Sequence, residues 1–124
     1  MFMKILICEE RDILLTTLEF RLSRRGFDVI RAVDGGEALE KLKTEAPDLL
    51  VTDLDTPGLS GMDLLSTLRG ELNETIPVII VGSADRGEDL LAALKKGASD
   101  FVTRPFKPLE LILRIQWILR QPAN

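Results

Sequence analysis

The stretch Asp48-Leu-Leu-Val-Thr-Asp-Leu-Asp-Thr-Pro-Gly-Leu-Ser-Gly-Met62 decides the fold. Leu49 to Thr52 is apolar, short and without a helical period, and Thr56-Pro57-Gly58 closes it, so it reads as a buried strand. The strand runs into a carboxylate, Asp53, with a second acid, Asp55, two residues on. Ser60-Gly-Met-Asp63 then has the form of a capping box, whose side chains satisfy the free N–H groups at a helix start. The order is strand, acidic loop, helix. In an open parallel sheet, ligands gather outside the carboxyl ends of the strands, where Asp53 sits.

Outward from that stretch, the same unit recurs. Met3 to Cys8 reads as a first strand, followed directly by Glu9 and Glu10. Arg11 to Arg25 carries Leu14, Leu15, Leu18 and Leu22 at helical spacing, and Gly26 suits a left-handed helix end. Phe27 to Ala32 is a shorter strand, and Asp34-Gly-Gly-Glu37 is a second capping box, opening a helix with Ala38, Leu39 and Leu42 inward. After the Asp53 strand, the spacing predicts a helix over 62–72 with Leu64, Leu65, Leu68 and Leu72 on one face. Val78 to Val81 are four consecutive β-branched residues, a strand buried on both faces. A helix over 88–96 places Leu91 and Leu94 inward. Phe101 to Thr103 is the fifth strand, and Pro108 opens a last helix running to about Arg120. Five βα units in strict alternation give an α/β fold, a doubly wound parallel sheet with right-handed crossovers.

Composition narrows the function. A chain of 124 residues holds one core, and 45% apolar with 29% charged residues belongs to a globular protein. With no histidine, His-based catalysis and the common zinc sites are excluded. Net charge is −4 with no basic run longer than a pair, so no nucleic-acid footprint is present. No apolar run reaches the ~20 residues of a membrane span, and no signal-peptide pattern opens the chain, so a cytoplasmic location is expected. The single cysteine, Cys8, lies among apolar neighbours and reads as a buried, inert thiol.

Three strand ends carry charge: Glu9 and Glu10 after the first, Asp53 after the third, Arg104 after the fifth. If the first and third strands are neighbours, the acids meet across one crevice. Clustered carboxylates repel, and oxygen-only ligands favour Mg2+. A metal and a cation beside a carboxylate nucleophile suit phosphoryl transfer to Asp53.

These residues also carry a resemblance. Ile5-Leu-Ile-Cys-Glu-Glu10, Asp48 to Met62, Lys96-Gly-Ala-Ser-Asp-Phe101 and Thr103-Arg-Pro-Phe106 together resemble a response-regulator receiver domain over nearly the whole chain. The resemblance implies a flavodoxin-like (βα)5 sheet with strand order 2-1-3-4-5, residues 1–120 as the receiver domain and 121–124 as a C-terminal tail. It implies Asp53 as phosphoacceptor for a sensor histidine kinase, and a domain that is not an enzyme beyond its own phosphorylation and autophosphatase chemistry. It assigns Mg2+ to Glu10 directly, to Glu9 through water, to Asp53, and to the backbone carbonyl of Asp55. Arg104 becomes the phosphoryl contact, Arg104–Pro105 a cis peptide, and Phe101 the aromatic switch.

The chain departs from the family at three places. Glu10 stands where Asp is usual, and Arg104 replaces Lys, trading a compact ammonium for a planar fork. The phosphoryl-binding hydroxyl falls on Gly82, with Ser83 beside it able to serve only from a bulged strand end. A pseudo-receiver signalling through protein contacts alone is therefore the alternative. Asp53-Leu-Asp-Thr56 is also similar to the haloacid-dehalogenase phosphatases, but their motif has Thr or Val where Pro57 stands. A dinucleotide-binding module is disfavoured, since no G-x-G-x-x-G follows a strand. Finally, Phe106 to Arg120 is similar to receivers of winged-helix transcription regulators. That similarity implies a homodimer through the fourth helix, fifth strand and fifth helix, with an intrahelical Glu110–Arg114 pair the simpler use of those charges.

Overall fold

Leu49–Asp53 forms β3, the middle strand of a five-stranded parallel sheet ordered β2-β1-β3-β4-β5. The structure is a computed structural model and describes residues 2–120; the tail expected at 121–124 lies outside the described residues. The other strands are β1 (Lys4–Cys8), β2 (Asp28–Ala32), β4 (Val78–Ser83) and β5 (Asp100–Arg104). Five helices connect and flank them: α1 (Asp12–Ser23), α2 (Gly35–Glu45), α3 (Gly61–Arg69), α4 (Gly87–Lys95) and α5 (Pro108–Arg120). A single 3-10 turn, Ala84–Arg86, precedes α4.

Alternation along the strands sorts the core into two layers. Leu6, Cys8, Leu50 and Ile80 face α2, α3 and α4, meeting Ala38, Leu42, Leu64, Leu65, Leu68, Leu90 and Ala93. Ile7, Leu49, Val51, Ile79 and Val102 face the opposite way, onto Leu15, Leu18 and Leu22 of α1 and Leu111, Ile112 and Ile115 of α5. β3 is buried at every position, as its unbroken apolar run requires. Truncating a fully buried leucine such as Leu50 costs about 2–5 kcal/mol through lost transfer energy and the cavity left behind.

The helix ends follow the local chemistry. Gly26 closes α1 with φ +88, a conformation a Cβ would strain. Both halves of the Ser60–Asp63 capping box are made, at 3.1 and 3.3 Å. At Asp34 only one half is seen: Asp34 Oδ1 accepts from Glu37 N–H at 2.8 Å, while the Glu37 carboxylate turns to Lys41 Nζ, 3.7 Å away.

Three expectations need correction. The helix predicted over 62–72 ends at Arg69, because the Leu72 N–H reaches back five residues to Thr67 and Asn73 takes φ +50; Leu72 still packs on the core. β4 continues through Gly82 and Ser83, since Thr103 and Arg104 of β5 offer them partners. In α4 the inward face is Leu90, Ala93 and Leu94, while Leu91 is turned to solvent. Leu90, Ala93 and Leu94 follow the i, i+3, i+4 spacing, and Leu91 lies a helical step, roughly 100°, away from Leu90.

Candidate functional site at the carboxyl edge of the sheet

β1 pairs with β3, and this adjacency brings the acids of two strand ends into one cleft of about 180 Å³. Glu9, Glu10, Arg11, Asp53, Asp55, Thr56 and Arg104 line it. Asp53 is buried at the end of β3, and one of its oxygens, Oδ1, accepts the Asp55 N–H at 2.9 Å. The following loop is held by backbone bonds: Leu54 N–H to Val81 O at 2.8 Å, Gly61 N–H to Leu54 O at 3.0 Å, and Gly35 N–H to Pro57 O at 2.9 Å. Thr56 adds a hydroxyl bond to Leu59 O. Position 61 has to be glycine, because a Cβ there would lie 2.4 Å from Asp53 O.

Arg104, on the last residue of β5, touches Asp53 Oδ2 through Nη2. Its buried Nε has no hydrogen-bond acceptor among the described residues. Burial lowers the pKa of this guanidinium, and Arg11 pushes the same way while Glu9 opposes them. The group remains a cation, since an arginine starts so far above neutrality. Arg104–Pro105 is a cis peptide bond.

Glu9 is buried and Glu10 exposed on the rim. Both oxygens of Glu9 are engaged by Arg11, whose backbone N–H, Nε and Nη2 lie 2.8, 3.3 and 3.3 Å away. Asp55 is exposed, and both of its carboxylate oxygens accept from Arg86 Nη1, at 2.8 and 2.7 Å. Arg86 Nε also donates to Asp89 at 2.7 Å. These bonds, to Asp55 first and Asp89 second, raise the pKa of Arg86. Gly82 and Ser83 sit at the end of β4 in regular register, with no bulge at Ser83. A Cβ at Gly82 would meet Leu90 at 3.1 Å and Leu54 at 3.6 Å, and the Ser83 hydroxyl donates to Asp85. Neither lines the cleft. Phe101 is half-buried against the layer formed with α2, α3 and α4.

The fold thus gathers Glu9, Glu10, Asp53, Asp55 and Arg104, and leaves Gly82, Ser83 and Phe101 outside the cleft. Two participants were missed from sequence. Arg11 had a signal, since it directly follows the acidic pair; Arg86 had none, being 31 residues from Asp55.

The residues that match a known family run from 5 to 116, against the family model described as the response regulator receiver domain. The chain belongs to this family. The receiver domain of the Francisella response regulator 1452 superposes with a TM-score of 0.86 at 34% identity, covering 93% of this chain and 94% of that one. The NtrX receiver domain from Brucella abortus gives a TM-score of 0.85 at 28% identity, over 95% and 99% of the two chains. Among curated relatives, the alkaline phosphatase synthesis transcriptional regulatory protein PhoP of Bacillus subtilis (strain 168) is 39% identical over 118 residues, 95% of this chain and 49% of that protein. The sensory transduction protein RegX3 of Mycolicibacterium smegmatis is 37% identical over 120 residues, 97% of this chain and 52% of that protein. This receiver therefore spans about half the length of the curated relatives it matches.

Receivers generally use Mg2+ for phosphorylation, and the donor chemistry here fits such an ion. Mg2+ prefers oxygen ligands, needs only one or two carboxylates and keeps its waters, and the cleft offers Glu9, Glu10 and Asp53. Among the described residues, though, no three acidic side chains stand close enough together to hold a metal as they are placed. Arg11 and Arg104 hold two of the three carboxylates instead.

Proposed function

We propose that residues 1–120 form a phosphoacceptor receiver unit in which Asp53 takes a phosphoryl group from the phosphohistidine of a sensor histidine kinase. The observation that supports this best is the contact of Asp53 with Arg104 in a small cleft, where Arg104 Nε is buried and lacks an acceptor. A buried donor without a partner costs about 1–3 kcal/mol. A phosphoryl oxygen would satisfy it.

In the transfer, a carboxylate oxygen of Asp53 forms the new O–P bond as the histidine N–P bond breaks, and the imidazole leaves with the electron pair. The Asp55 N–H on Oδ1 orients the carboxylate. Arg104 offsets charge on the transferring group, a role suited to a guanidinium fork. Glu10, Asp53 and the Asp55 carbonyl would hold Mg2+, with Glu9 acting through water, and the ion when bound would supply charge neutralisation between carboxylate and phosphoryl dianion. Autophosphatase activity belongs to the same site, and the location is cytoplasmic; no helix among the described residues is long and apolar enough to cross a membrane.

The output would follow from a new dianion beside Arg104 and the end of β4. Phe101 then packs further inward, and the face of α4, β5 and α5 changes. That face shows Leu91, Leu109, Leu113 and Trp117 to solvent, which supports a homodimer there. Arg114 is already paired within the chain, with Asp100 at 2.8 Å and with Glu110 at 3.7 Å, so apolar contact rather than this pair would carry the dimer.

The test is intact mass after incubation with acetyl phosphate, with and without Mg2+, on the wild type and on Asp53→Asn. A Mg2+-dependent gain of one phosphoryl group that the Asn variant lacks is expected. No gain under any condition contradicts the reading and leaves a receiver that works by protein contacts alone.

A further inference from the structure

Arg11 closes the acidic cleft from the side of α1. It is the residue that precedes this helix, and its side chain makes no capping hydrogen bond. Instead three of its nitrogens converge on Glu9: the backbone N–H and Nε on Oε2, and Nη2 on Oε1. The Glu9 side chain is 8% exposed, while Arg11 keeps 54% of its own in solvent. The carboxylate is therefore fixed and the guanidinium can leave.

On the basis of the receiver reading above, we infer that Arg11 is a tethered competitor of divalent metal. Its guanidinium occupies the place of the cation against Glu9, so the Arg11–Glu9 pair and metal binding at that carboxylate exclude each other.

The charge balance points the same way. Glu9, Glu10, Asp53 and Asp55 bring four negative charges to the cleft lining, and Arg11 and Arg104 return two positive ones. Among the described residues Arg11 is the cation paired with Glu9, so removing it frees that carboxylate in particular for a dication. Exposure of Arg11 to water limits the effect to about fivefold in affinity, the upper range for a solvent-facing pair. A metal reaching Glu9 has to displace the two guanidinium bonds, while the bond from the Arg11 backbone N–H can stay. A device of this kind sets how much metal the receiver needs before it can be loaded.

The experiment is a Mg2+ titration of the full chain followed by the backbone amide shifts of Glu9, Glu10 and Asp53. It compares wild type, Arg11→Ala, Arg11→Lys, Glu9→Gln and the Arg11→Ala/Glu9→Gln pair. Arg11→Ala is expected to bind Mg2+ about fivefold more tightly, and Arg11→Lys, which keeps the charge, to stay within about twofold of wild type. In the Glu9→Gln background the gain should vanish, which a general change of surface charge would not produce. Equal affinity in wild type and Arg11→Ala overturns the inference, as does a gain that survives Glu9→Gln. Absence of Mg2+ shifts in every variant overturns it too, together with the metal's part in the proposed function. Labelling of Asp53 is read separately by mass, so the acceptor reading can stand when the competition fails.

Discussion

The two sides of Asp53 are built differently. Toward β1 and β5 the cleft is crowded with charge, and each buried acid has a guanidinium on it: Arg11 on Glu9, Arg104 on Asp53. Toward β4 and α4 the strand end brings no polar side chain into the cleft: position 82 is glycine and the Ser83 hydroxyl turns to Asp85. Gly82 leaves the space to Leu54 and Leu90, and an ionic link to α4 passes over the surface from Asp55 through Arg86 to Asp89. The first side can hold charge tightly. The second can move, because its link is solvent-exposed and each exposed pair contributes little. A receiver needs both properties, and here they lie on opposite flanks of one carboxylate.

Substitutions separate the two flanks. The largest effect is expected at the junction, where Gly61→Ala would force a Cβ into the backbone of Asp53; chemical denaturation should show a loss of about 3 kcal/mol. Arg104→Ala comes next. It strands a buried carboxylate, and the loss should be about 2 kcal/mol, reduced from the fully buried case by the 27% exposure of Arg104. If it costs nothing, the tight flank is not tight. On the β4 side, Gly82→Thr should cost about 1 kcal/mol or less, because the crowding falls on the flexible end of Leu90 while the β-branched residue suits a strand. Arg86→Ala should leave the unfolding midpoint almost unmoved. Its signature is faster amide exchange over residues 54–60 and 84–90, and unchanged exchange there would mean that Asp55 and α4 are not linked through Arg86.

Cys8 reports on the same edge from beneath. Burial, opposed by a bond to Thr52, pushes its thiol up from 9.0 to about 11. The unfolded chain therefore loses this proton first, and the folded state loses stability as pH rises from about 9 to about 11. The loss should reach about 3 kcal/mol and be missing in Cys8→Ala.

Most of this architecture was legible because local and global signals agree. Leu49–Thr52 and Val78–Val81 are apolar runs that only a doubly buried strand satisfies, and the breaker residues between elements mark their order. The errors lie where signals compete. Leu90, Leu91 and Leu94 allow more than one inward face, and the small Ala93 hid the true one. The strand read as Val78 to Val81 runs two residues further, because β5 supplies partners to Gly82 and Ser83. At the site, the strand ends gathered Glu9, Glu10, Asp53 and Arg104 as the topology demands. The guanidiniums of Arg11 and Arg86 were not legible in the same way, because which acid a long side chain reaches depends on loop geometry rather than on spacing.

Asp53, and no neighbouring acid, is the proposed acceptor of the phosphoryl group. Borohydride reduces an aspartyl phosphate to homoserine, so labelled protein can be reduced, digested and mapped. Homoserine at position 53 alone is the predicted result. Homoserine at 55 or 85, or none in protein that has gained the phosphoryl mass, would contradict it.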